Sequence, residues 1–378
     1  MRLHEYEAAD ILESAGIPFP ARGLARTPEE AGRIAAGLGL PVVLKAQVLI
    51  GGRGLAGGIK VAETSEEAYD LSKSLLETRI NGFPVARFLV CRKLDIAKEF
   101  YLGIAVDGYA GKPMVMASTQ GGMRIEDVAK ASPHEIVAMH QDVGRELLPY
   151  QARELVRGLG VSSNEMLRLS EILIRLFRVF RDWSALTAEI NPLVVTTDGR
   201  FAAVDAVLEV DDAALPQLSD RLPKPLERID NPLERRGREI GVTYVDLEGD
   251  IGIIASGAGL GMASMDIIAR KFSPANFLET GGGITADLLY QSMALVMMKP
   301  AIRAVFVNVY GGINPIHEGA QGIVRYMREH DVRIPVVAKA LGNRQEETWQ
   351  ILRSAGVHVV TDVPTEKAVE ALFRLLEA

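Results

Sequence analysis

The chain has 378 residues, of which 48% are hydrophobic and 24% are charged. This composition is ordinary for a globular protein, and the length predicts two or three domains. The net charge of −7 and the pI near 5.6 give no reason to expect binding to nucleic acid or to an anionic membrane. Cys91 is the only cysteine, which excludes an internal disulfide and a cysteine-built metal site. The N-terminal residues lack a signal-peptide core and no apolar run could span a bilayer, so we expect a cytoplasmic protein.

The first part of the chain mixes helices and strands. Leu3–Ser14 has helical periodicity and ends at Gly16-Ile17-Pro18, as a helix end should. A strand at Pro41–Val48 is followed by the glycine-rich segment 51–58 and by a second strand from Ile59. Further strands are predicted at Phe88–Arg92, Glu99–Val106 and Pro113–Ser118, and an amphipathic helix at Glu165–Val179.

A β-hairpin is predicted between residues 190 and 207. Its strands are Ile190–Thr196 and Arg200–Val207, and its loop is Thr197-Asp198-Gly199. A three-residue hairpin loop that ends in glycine is a favoured connection between antiparallel strands. This loop pairs position 196 with position 200, which fixes the register of the whole hairpin.

Three oxygen-bearing side chains meet at the far end of this hairpin. The predicted register places Asn191 opposite Asp205, and Glu189 lies on the same face because side chains alternate along a strand. An asparagine carbonyl and an aspartate carboxylate suit Mg²⁺, which shares its coordination shell with water and nucleotide phosphates. We therefore predict a Mg²⁺ site here, although polar residues are also common at strand ends without any metal.

The C-terminal part has a different and more regular pattern. The charged stretch Asp220–Arg238 shows little periodicity and is interpreted as a linker. From about residue 245, strands and helices alternate, which is typical of an open parallel sheet that binds ligands beyond the carboxyl ends of its strands. The predicted strands are Gly252–Ala255, Ala275–Leu278, Ala304–Val309, Pro335–Ala338 and His358–Val360. The resulting division is a domain at 1–225, a linker at 226–240 and a second domain at 241–378.

A lysine and a glycine-rich loop suggest a phosphate site in the first domain. Lys45 is a lone charge inside an apolar strand, which is costly unless its amine reaches an anion or the surface. In the following loop, Gly52 and Gly54 flank Arg53 and let the backbone approach phosphate oxygens. This is not a P-loop, since the lysine precedes the glycines. Together with the hairpin, the pattern fits the ATP-grasp arrangement better than an isolated turn.

Other residues leave two interpretations open. Glu99 could bind a hydroxyl or amino group of a nucleotide, or could simply be a solvated glutamate at the start of a strand. Cys91 could line a base pocket or only pack in the core. In the second domain, Gly311-Gly312-Ile313-Asn314 precedes a helix predicted from about Glu318, and the free amides at such a junction attract a carboxylate or phosphate. His317 in that loop could be catalytic, but loop histidines are commonly only solvated.

The sequence resembles the β subunit of succinyl-CoA synthetase, the succinate–CoA ligase family, essentially from end to end. The resemblance predicts an α/β and α+β multidomain protein, with an N-terminal ATP-grasp domain followed by a flavodoxin-like, doubly wound parallel-sheet CoA-ligase domain. The matching segments are Leu3-His4-Glu5-Tyr6, Gly51–Gly58, Asp95–Glu99, Glu189–Leu193, Gly257–Leu260, Pro274–Phe277 and Val307-Asn308.

The resemblance also implies roles for individual residues. Lys45 and Gly52-Arg53-Gly54 would hold the phosphates of ATP or GTP, and Cys91, Leu94 and Glu99 would line the base and ribose pocket. Asn191 and Asp205 would ligate Mg²⁺, and Glu189 would meet a phosphohistidine that swings in from an α-type partner. Ser256 and Gly312-Ile313-Asn314 would help to bind the carboxylic acid at the subunit interface. In this family the phosphorylated histidine and the main coenzyme A site belong to the α subunit, in an αβ or α2β2 assembly.

Several positions depart from the family pattern. Cys91 stands where bacterial members usually have Glu, and Ser256 stands where Asn is expected in Asn-Gly-Ala-Gly. The run 314–317, Asn-Pro-Ile-His, replaces a Val-Arg-Cys-Asp type of sequence, and Leu55 and Val207 replace lysines. A hydroxyl in place of a carboxamide, with an added imidazole, suggests a different or larger carboxylic acid. The alternatives are therefore a malate–CoA or other acid–CoA ligase subunit, a non-catalytic nucleotide-binding regulatory subunit, and a self-contained ATP-grasp ligase that forms amide bonds.

Overall fold

The computed structural model describes residues 1–80, 82–223, 225–229 and 231–377. The chain divides into two compact units, unit 1 at Met1–Leu222 and unit 2 at Pro223–Ala378. No helix in the described ranges is both long enough and apolar enough to cross a membrane.

Unit 1 combines helices with two main antiparallel sheets and a small two-stranded one. Its helices are α1 Glu5–Ser14, α2 Pro28–Leu38, α3 Ser65–Leu76, α4 Ile125–Ala131, α5 Pro149–Arg157, α6 Ser163–Asp182 and α7 Leu215–Leu218, with short 3-10 turns at Pro133–Glu135 and Asp212–Ala214. Its strands are β1 Arg22–Ala25, β2 Val42–Ala46, β3 Ile59–Ala62, β4 Arg79–Ile80, β5 Phe83–Pro84, β6 Phe88–Arg92, β7 Ile96–Asp107, β8 Lys112–Ser118, β9 Ile136–His140, β10 Ala185–Thr196, β11 Phe201–Ala203 and β12 Ala206–Val210.

Each main sheet of unit 1 has its own core. The small sheet has the order β1-β6-β2-β3, and α2 and α3 pack on it over a cluster that includes Leu44 and Phe88. The large sheet has the order β11-β10-β7-β8-β9, with β12 also paired to β10. Helix α6 covers the large sheet with its apolar stripe, and Ser162 is its N-cap, because the Ser162 side chain and Glu165 form a capping box.

The predicted hairpin register is confirmed. Val195 pairs with Phe201 and Glu189 pairs with Val207, and the backbone amide of Asn191 donates to the carbonyl of Asp205 at 3.2 Å. The second predicted strand is instead split into β11 and β12, and the break falls at residues 204–205. Asp205 therefore lies at an interruption of the sheet, where its side chain is free to turn toward the small sheet.

Unit 2 alternates strands and helices, as predicted. Its helices are α8 Pro232–Ile240, α9 Ala258–Ile268, α10 Ala286–Met297, α11 His317–Glu329, α12 Gln345–Arg353 and α13 Thr365–Glu377, with a 3-10 turn at Pro225–Arg228. Its strands are β13 Thr243–Asp246, β14 Ile251–Ala255, β15 Asn276–Glu279, β16 Ala304–Gly311, β17 Val336–Gly342 and β18 His358–Val360.

The sheet of unit 2 has the order β13-β15-β14-β16-β17-β18. Strands β14 to β18 are parallel and follow the 2-1-3-4-5 order of flavodoxin-like folds, which confirms that prediction. The order reverses between β14 and β16, so the loops after these two strands flank the crevice in which such sheets bind ligands.

Four local predictions differ from the structure. The segment assigned to a linker, 226–240, contains α8, whose N-cap is Asn231; the side chain of this residue accepts from two backbone amides of the first turn. An antiparallel edge strand, β13, was not predicted. Helix α11 begins at His317, and Glu99 lies within β7 rather than at its start. Short charged elements such as α8 show little apolar periodicity, because only one narrow face packs on the sheet and α10.

Candidate functional site

Four charged side chains form a closed cluster in unit 1. Arg53 Nη2 lies 2.5 Å from Glu5 Oε2 and 2.8 Å from Asp205 Oδ1. Lys45 Nζ lies 2.9 Å from Glu5 Oε1 and also donates to the backbone carbonyl of Val204. Two cations thus face two carboxylates, and the formal charge of the cluster is zero. The lone lysine of the strand reaches an anion, as its cost of burial demands.

Glu5 connects the two cations. Its side chain is almost fully buried, and Gln47 Nε2 donates to its Oε2 at 3.0 Å. Burial opposes ionisation of Glu5, but the charges of Lys45 and Arg53 and the hydrogen bond from Gln47 outweigh it and lower the pKa. Burial likewise acts to lower the pKa of Lys45, but Glu5 and Asp205 raise it above its usual value.

Asp205 behaves differently from Glu5. Burial and the nearby charge of Glu5 raise its pKa, while Arg53 and Lys45 act to lower it. Its carboxyl is the more accessible of the two, since about a third of the side chain is exposed, against 4% for Glu5. Of the two carboxylates, Asp205 is therefore the one that can exchange Arg53 for another cation.

The glycine-rich loop 51–58 places Arg53 inside the protein. Arg53 Nη1 donates to the carbonyl of Ala46 at 3.1 Å, and the amide of Gly58 donates to the carbonyl of Arg53 at 2.8 Å. Gly52 has a φ of +78°, a left-handed conformation that favours glycine. Leu55 at the tip is 94% exposed. The loop thus directs its cation inward and its tip outward.

Asn191 is held by a second glycine-containing loop. Its Oδ1 accepts from the amide of Gly122 at 2.8 Å, and its Nδ2 donates to the carbonyl of Met123 at 2.7 Å. The same loop passes over Glu99, since a Cβ added at Gly122 would lie 2.7 Å from Glu99 Oε2. This loop therefore connects the predicted metal ligand with a predicted nucleotide-binding residue.

Glu189 lies beside Asn191 on β10, as the alternation of side chains predicted. Burial raises the pKa of its carboxyl, a hydrogen bond from Asn191 opposes this rise, and the charges of Asp205 and Glu126 add to it. A partly buried carboxyl with a raised pKa is suited to hold or exchange a proton on an incoming group.

The predicted base-pocket residues lie on two different sheets. Cys91 is on β6 with its Cα paired to Val43, so its side chain shares a face of the small sheet with Lys45. Burial raises the pKa of its thiol to about 11, which excludes a reactive thiolate near neutral pH. Leu94 is half-buried in the loop after β6, and Glu99 is half-buried on β7 of the large sheet.

The described part of unit 1 offers few protein ligands for a metal ion. Within the described residues, no group of three or more His, Cys, Asp or Glu side chains is arranged to bind a metal. Asn191 and Asp205 supply two oxygen donors, which fits Mg²⁺ because this ion commonly takes one or two protein ligands and completes its shell with phosphates and water.

In unit 2, hydrogen bonds join the loops that follow the strands at the crevice. Ser256 Oγ accepts from the amide of Tyr310 at 2.8 Å and donates to its carbonyl at 3.2 Å. Asn314 Nδ2 donates to the carbonyl of Gly282, and Asn343 Nδ2 donates to that of Ile313 at 2.8 Å. Gly312 and Ile313 are exposed, Ile313 to 89%. The backbone of this loop is thus fixed at both sides and open at its tip.

Two family models match the chain in the expected order. One is described as an ATP-grasp domain and matches residues 2–195, and the other is described as CoA-ligase and matches residues 254–373. The chain is 41% identical to the Thermus thermophilus protein named succinate–CoA ligase [GDP-forming] subunit beta, over 98% of this chain and 99% of that one. It is 40% identical to the ADP-forming counterpart of Methanothermobacter thermautotrophicus, over 98% and 99% of the two chains.

The chain belongs to the succinate–CoA ligase β-subunit family. Among solved structures it is similar to ATP citrate lyase from Methanothrix soehngenii in complex with citrate and coenzyme A, with a TM-score of 0.73. That similarity covers 100% of this chain and 99% of the other at 18% identity, so it shows a shared fold and nothing about the substrate. The N-terminal nucleotide-binding fold and the C-terminal parallel sheet are thus confirmed.

The structure shows the surroundings of the residues that depart from the family pattern. Cys91 is buried next to Lys45, and Ser256 is engaged by the backbone of Tyr310. His317 is 8% exposed at the start of α11, with its Nε2 3.0 Å from Arg344 Nη1. Because an arginine can only donate, Nε2 accepts and the proton resides on Nδ1, which has no partner among the described residues. The expectation of a solvated loop histidine was therefore wrong.

Sequence reasoning missed the function of one member of the cluster, Glu5, and of Gln47, which donates to it. The sequence marks Glu5 only as part of a matching segment, and Gln47 only as part of a strand. The one available signal was that Lys45, buried in an apolar strand, needed a carboxylate partner. A single sequence does not show which of its 49 acidic residues supplies that partner.

Proposed function

We propose that this chain is the nucleotide-binding β-type subunit of a nucleoside-diphosphate-forming acid–CoA ligase, with succinate or a related di- or tricarboxylate as its substrate. It phosphorylates a histidine of an α-type partner, which leads to an acyl phosphate and then to acyl-CoA. The partner binds most of the coenzyme A. The observation that supports this proposal is the cluster of Lys45, Arg53 and Asp205 in the ATP-grasp domain of a succinate–CoA ligase relative.

The cluster provides what a nucleoside triphosphate needs. Lys45 and Arg53 are two cations preformed in a largely buried site, and Gly52 and Gly54 leave the loop backbone close to them. Phosphates entering this site replace part of the carboxylate charge around the two cations. Arg53 presents a planar fork suited to two oxygens, whereas Lys45 acts as a point charge.

Asn191 and Asp205 would hold Mg²⁺ with the nucleotide. When bound, the ion neutralises phosphate charge and fixes the orientation of the phosphates. In the structure Asp205 pairs with Arg53, and Asn191 accepts from Gly122. Binding of the metal–nucleotide therefore requires Asp205 to release Arg53, which becomes available to the phosphates in the same step. This exchange keeps each buried charge paired.

Glu189 acts on the histidine rather than on the nucleotide. Its side chain lies beside the metal pair, and burial raises its pKa. Facing an imidazole, the carboxylate accepts a hydrogen bond from the ring N–H and orients the other nitrogen, which has the lone pair, toward the phosphoryl group. The described residues around it contain no histidine arranged for this role, which is why a partner chain is required.

In unit 2, the exposed tip Gly312-Ile313-Asn314 and the neighbouring Ser256 contribute to the carboxylate site. This tip lies at the switch point of the sheet, where ligands bind in such folds. A second candidate function is a ligase for a different, hydroxylated acid such as malate. It is favoured by Ser256, whose short hydroxyl leaves more room than the carboxamide expected from the family.

The test is reconstitution with the α-type partner. The two chains should co-purify, the partner's histidine should become phosphorylated with Mg-ATP or Mg-GTP, and diphosphate release should depend on coenzyme A across a panel of succinate, malate and citrate. Glu189→Gln should slow phosphorylation while sparing Mg-ADP affinity, whereas Glu154→Gln, a charge change on the exposed face of α5, should do neither. Nucleotide binding without any phosphorylation of the partner's histidine would instead support the regulatory alternative and refute the proposal.

A further inference from the structure

The proposed function assigns no role to the hydroxyl of Tyr101. The side chain is 2% exposed and its hydroxyl makes no hydrogen bond within the described part of the chain, yet the hydroxyl is not among the buried unpaired atoms, so it reaches the surface while the ring is buried. A tyrosine with a buried ring and an accessible O–H presents one hydrogen-bond donor in a fixed position. The hydroxyl is therefore available to a hydrogen-bond acceptor that arrives from outside the chain.

The sheet register places this hydroxyl next to Glu189. Glu189 on β10 pairs with Gly103 on β7, and Tyr101 lies two residues before Gly103, on the same face. The tyrosine ring lies over Gly103, since a Cβ added there would be 2.6 Å from the ring carbon that bears the hydroxyl. Only glycine at 103 leaves room for the ring, and the hydroxyl is thereby directed along β7 toward the position opposite Glu189.

The surroundings of the Tyr101 hydroxyl favour its protonated form, which can donate a hydrogen bond. Burial is the main cause that raises the pKa of Tyr101, and the charges of Glu189 and Glu126 add to it. The raised pKa means that the group presents an O–H rather than a phenolate near neutral pH. Glu189 is engaged by Asn191 and does not accept from Tyr101. A neutral donor beside carboxylates matches a ligand with acceptor oxygens, such as a phosphoryl group.

We propose that Tyr101 is a catalytic hydrogen-bond donor to the phosphoryl group as it passes between the nucleotide and the partner's histidine beside Glu189. This inference rests on the proposed function. In the transfer, the bond between the terminal phosphorus and its bridging oxygen breaks, and its electron pair stays with the nucleoside diphosphate. The imidazole lone pair forms the new N–P bond. Tyr101 keeps its proton throughout and only hydrogen-bonds to a non-bridging oxygen of the group in transit.

The role differs from that of the phosphate-binding cations. Lys45 and Arg53 lie at the small sheet and hold the nucleotide in its bound state, whereas Tyr101 lies on the large sheet beside the residue that receives the histidine. A donor positioned for the phosphoryl group in transit lowers the activation barrier of the transfer more than it strengthens binding of the nucleotide. Its loss should therefore reduce the rate of transfer and leave the affinity for the diphosphate product unchanged.

The test uses Tyr101→Phe in complex with the α-type partner. Phenylalanine keeps the ring over Gly103 and removes only the hydroxyl, so the fold should be retained. Rapid-quench measurement of histidine phosphorylation from Mg-ATP labelled in the terminal phosphate should show a rate about 10- to 100-fold below wild type. Mg-ADP affinity, measured by isothermal titration, should be unchanged. The matched control is Tyr244→Phe, since Tyr244 is a buried tyrosine of unit 2 whose hydroxyl also has no partner among the described residues.

Each outcome decides a different point. Slower phosphorylation in Tyr101→Phe with wild-type Mg-ADP affinity, and no change in Tyr244→Phe, supports the inference. A wild-type phosphorylation rate in Tyr101→Phe overturns it, and so does a parallel loss of Mg-ADP affinity, which would show a structural role. If the wild-type complex phosphorylates no histidine at all, the proposed function is refuted and this inference is refuted with it.

Discussion

Replacing Glu5 tests whether the charged cluster is a structural unit. In Glu5→Gln, Lys45 loses its nearest carboxylate and Arg53 keeps only Asp205, while both cations stay buried. Removing one partner of a buried ion pair costs about 3–5 kcal/mol, because the remaining charge is left uncompensated. The new amide would also point an N–H at the donors of Lys45, Gln47 or Arg53. We therefore expect the free energy of unfolding of unit 1 to fall by about 3–5 kcal/mol at pH 7.

The pH dependence gives a second, independent prediction. The pKa of Glu5 is lowered in the folded protein from its ordinary value of 4.5. A lowered pKa contributes stability that is present above the unfolded pKa and is lost as the pH falls through the folded pKa. The difference in stability between wild type and Glu5→Gln should therefore be largest near neutral pH and should shrink as the pH falls below 4.5.

Urea unfolding of unit 1 measures both quantities. The chain has two tryptophans, and replacing Trp349 of unit 2 by Phe in every protein leaves Trp183 to report unit 1 by fluorescence. Asp10→Asn is the matched control, because Asp10 lies on the same helix with its side chain 68% exposed, and its partner Arg22 keeps Glu13, so we expect a loss below about 1 kcal/mol. Equal losses of stability in Glu5→Gln and Asp10→Asn would refute the reasoning, as would a difference that does not depend on pH.

Four further predictions concern single residues. Asp205→Asn should weaken Mg-ADP binding by about 10- to 100-fold without weakening metal-free ADP binding; titration calorimetry with unaltered Mg-ADP affinity would argue against the metal assignment. Arg53→Ala should weaken ATP binding by about 1.5–3 kcal/mol more than adenosine binding, and equal losses for both ligands would contradict a phosphate contact. Because burial raises the pKa of Cys91 to about 11, iodoacetamide at pH 8 should label it only after denaturation, as followed by mass spectrometry; labelling of the folded protein at the rate of a free thiol would contradict this. Ser256→Asn should raise the ratio of kcat/KM for succinate over malate in the reconstituted complex, and an unchanged ratio would remove Ser256 from acid selection.

The hairpin shows how much of the site the sequence could predict. The loop Thr197-Asp198-Gly199 fixes the register by local turn chemistry, so the pairing of Asn191 with Asp205 followed without any tertiary information. The same holds for the parallel sheet of unit 2, because apolar strands, glycine-rich turns and amphipathic helices alternate along the chain. These features depend on residues close in sequence. For the same reason, α8 was missed, since its helical signal is short and highly charged.

The partners of the site residues were decided by tertiary structure. Glu5, Lys45, Arg53 and Asp205 lie up to 200 positions apart, and their contacts depend on how α1, β2 and the loop at 204–205 come together. Tyr101 is likewise directed toward Glu189 only because β7 pairs with β10 and has glycine at 103. The sequence by itself determined most of the elements, the hairpin register and the family, since these follow from local patterns and motif order. Tertiary structure alone determined which charges neutralise one another, because the cost of burying a charge depends on its neighbours in space and not in sequence.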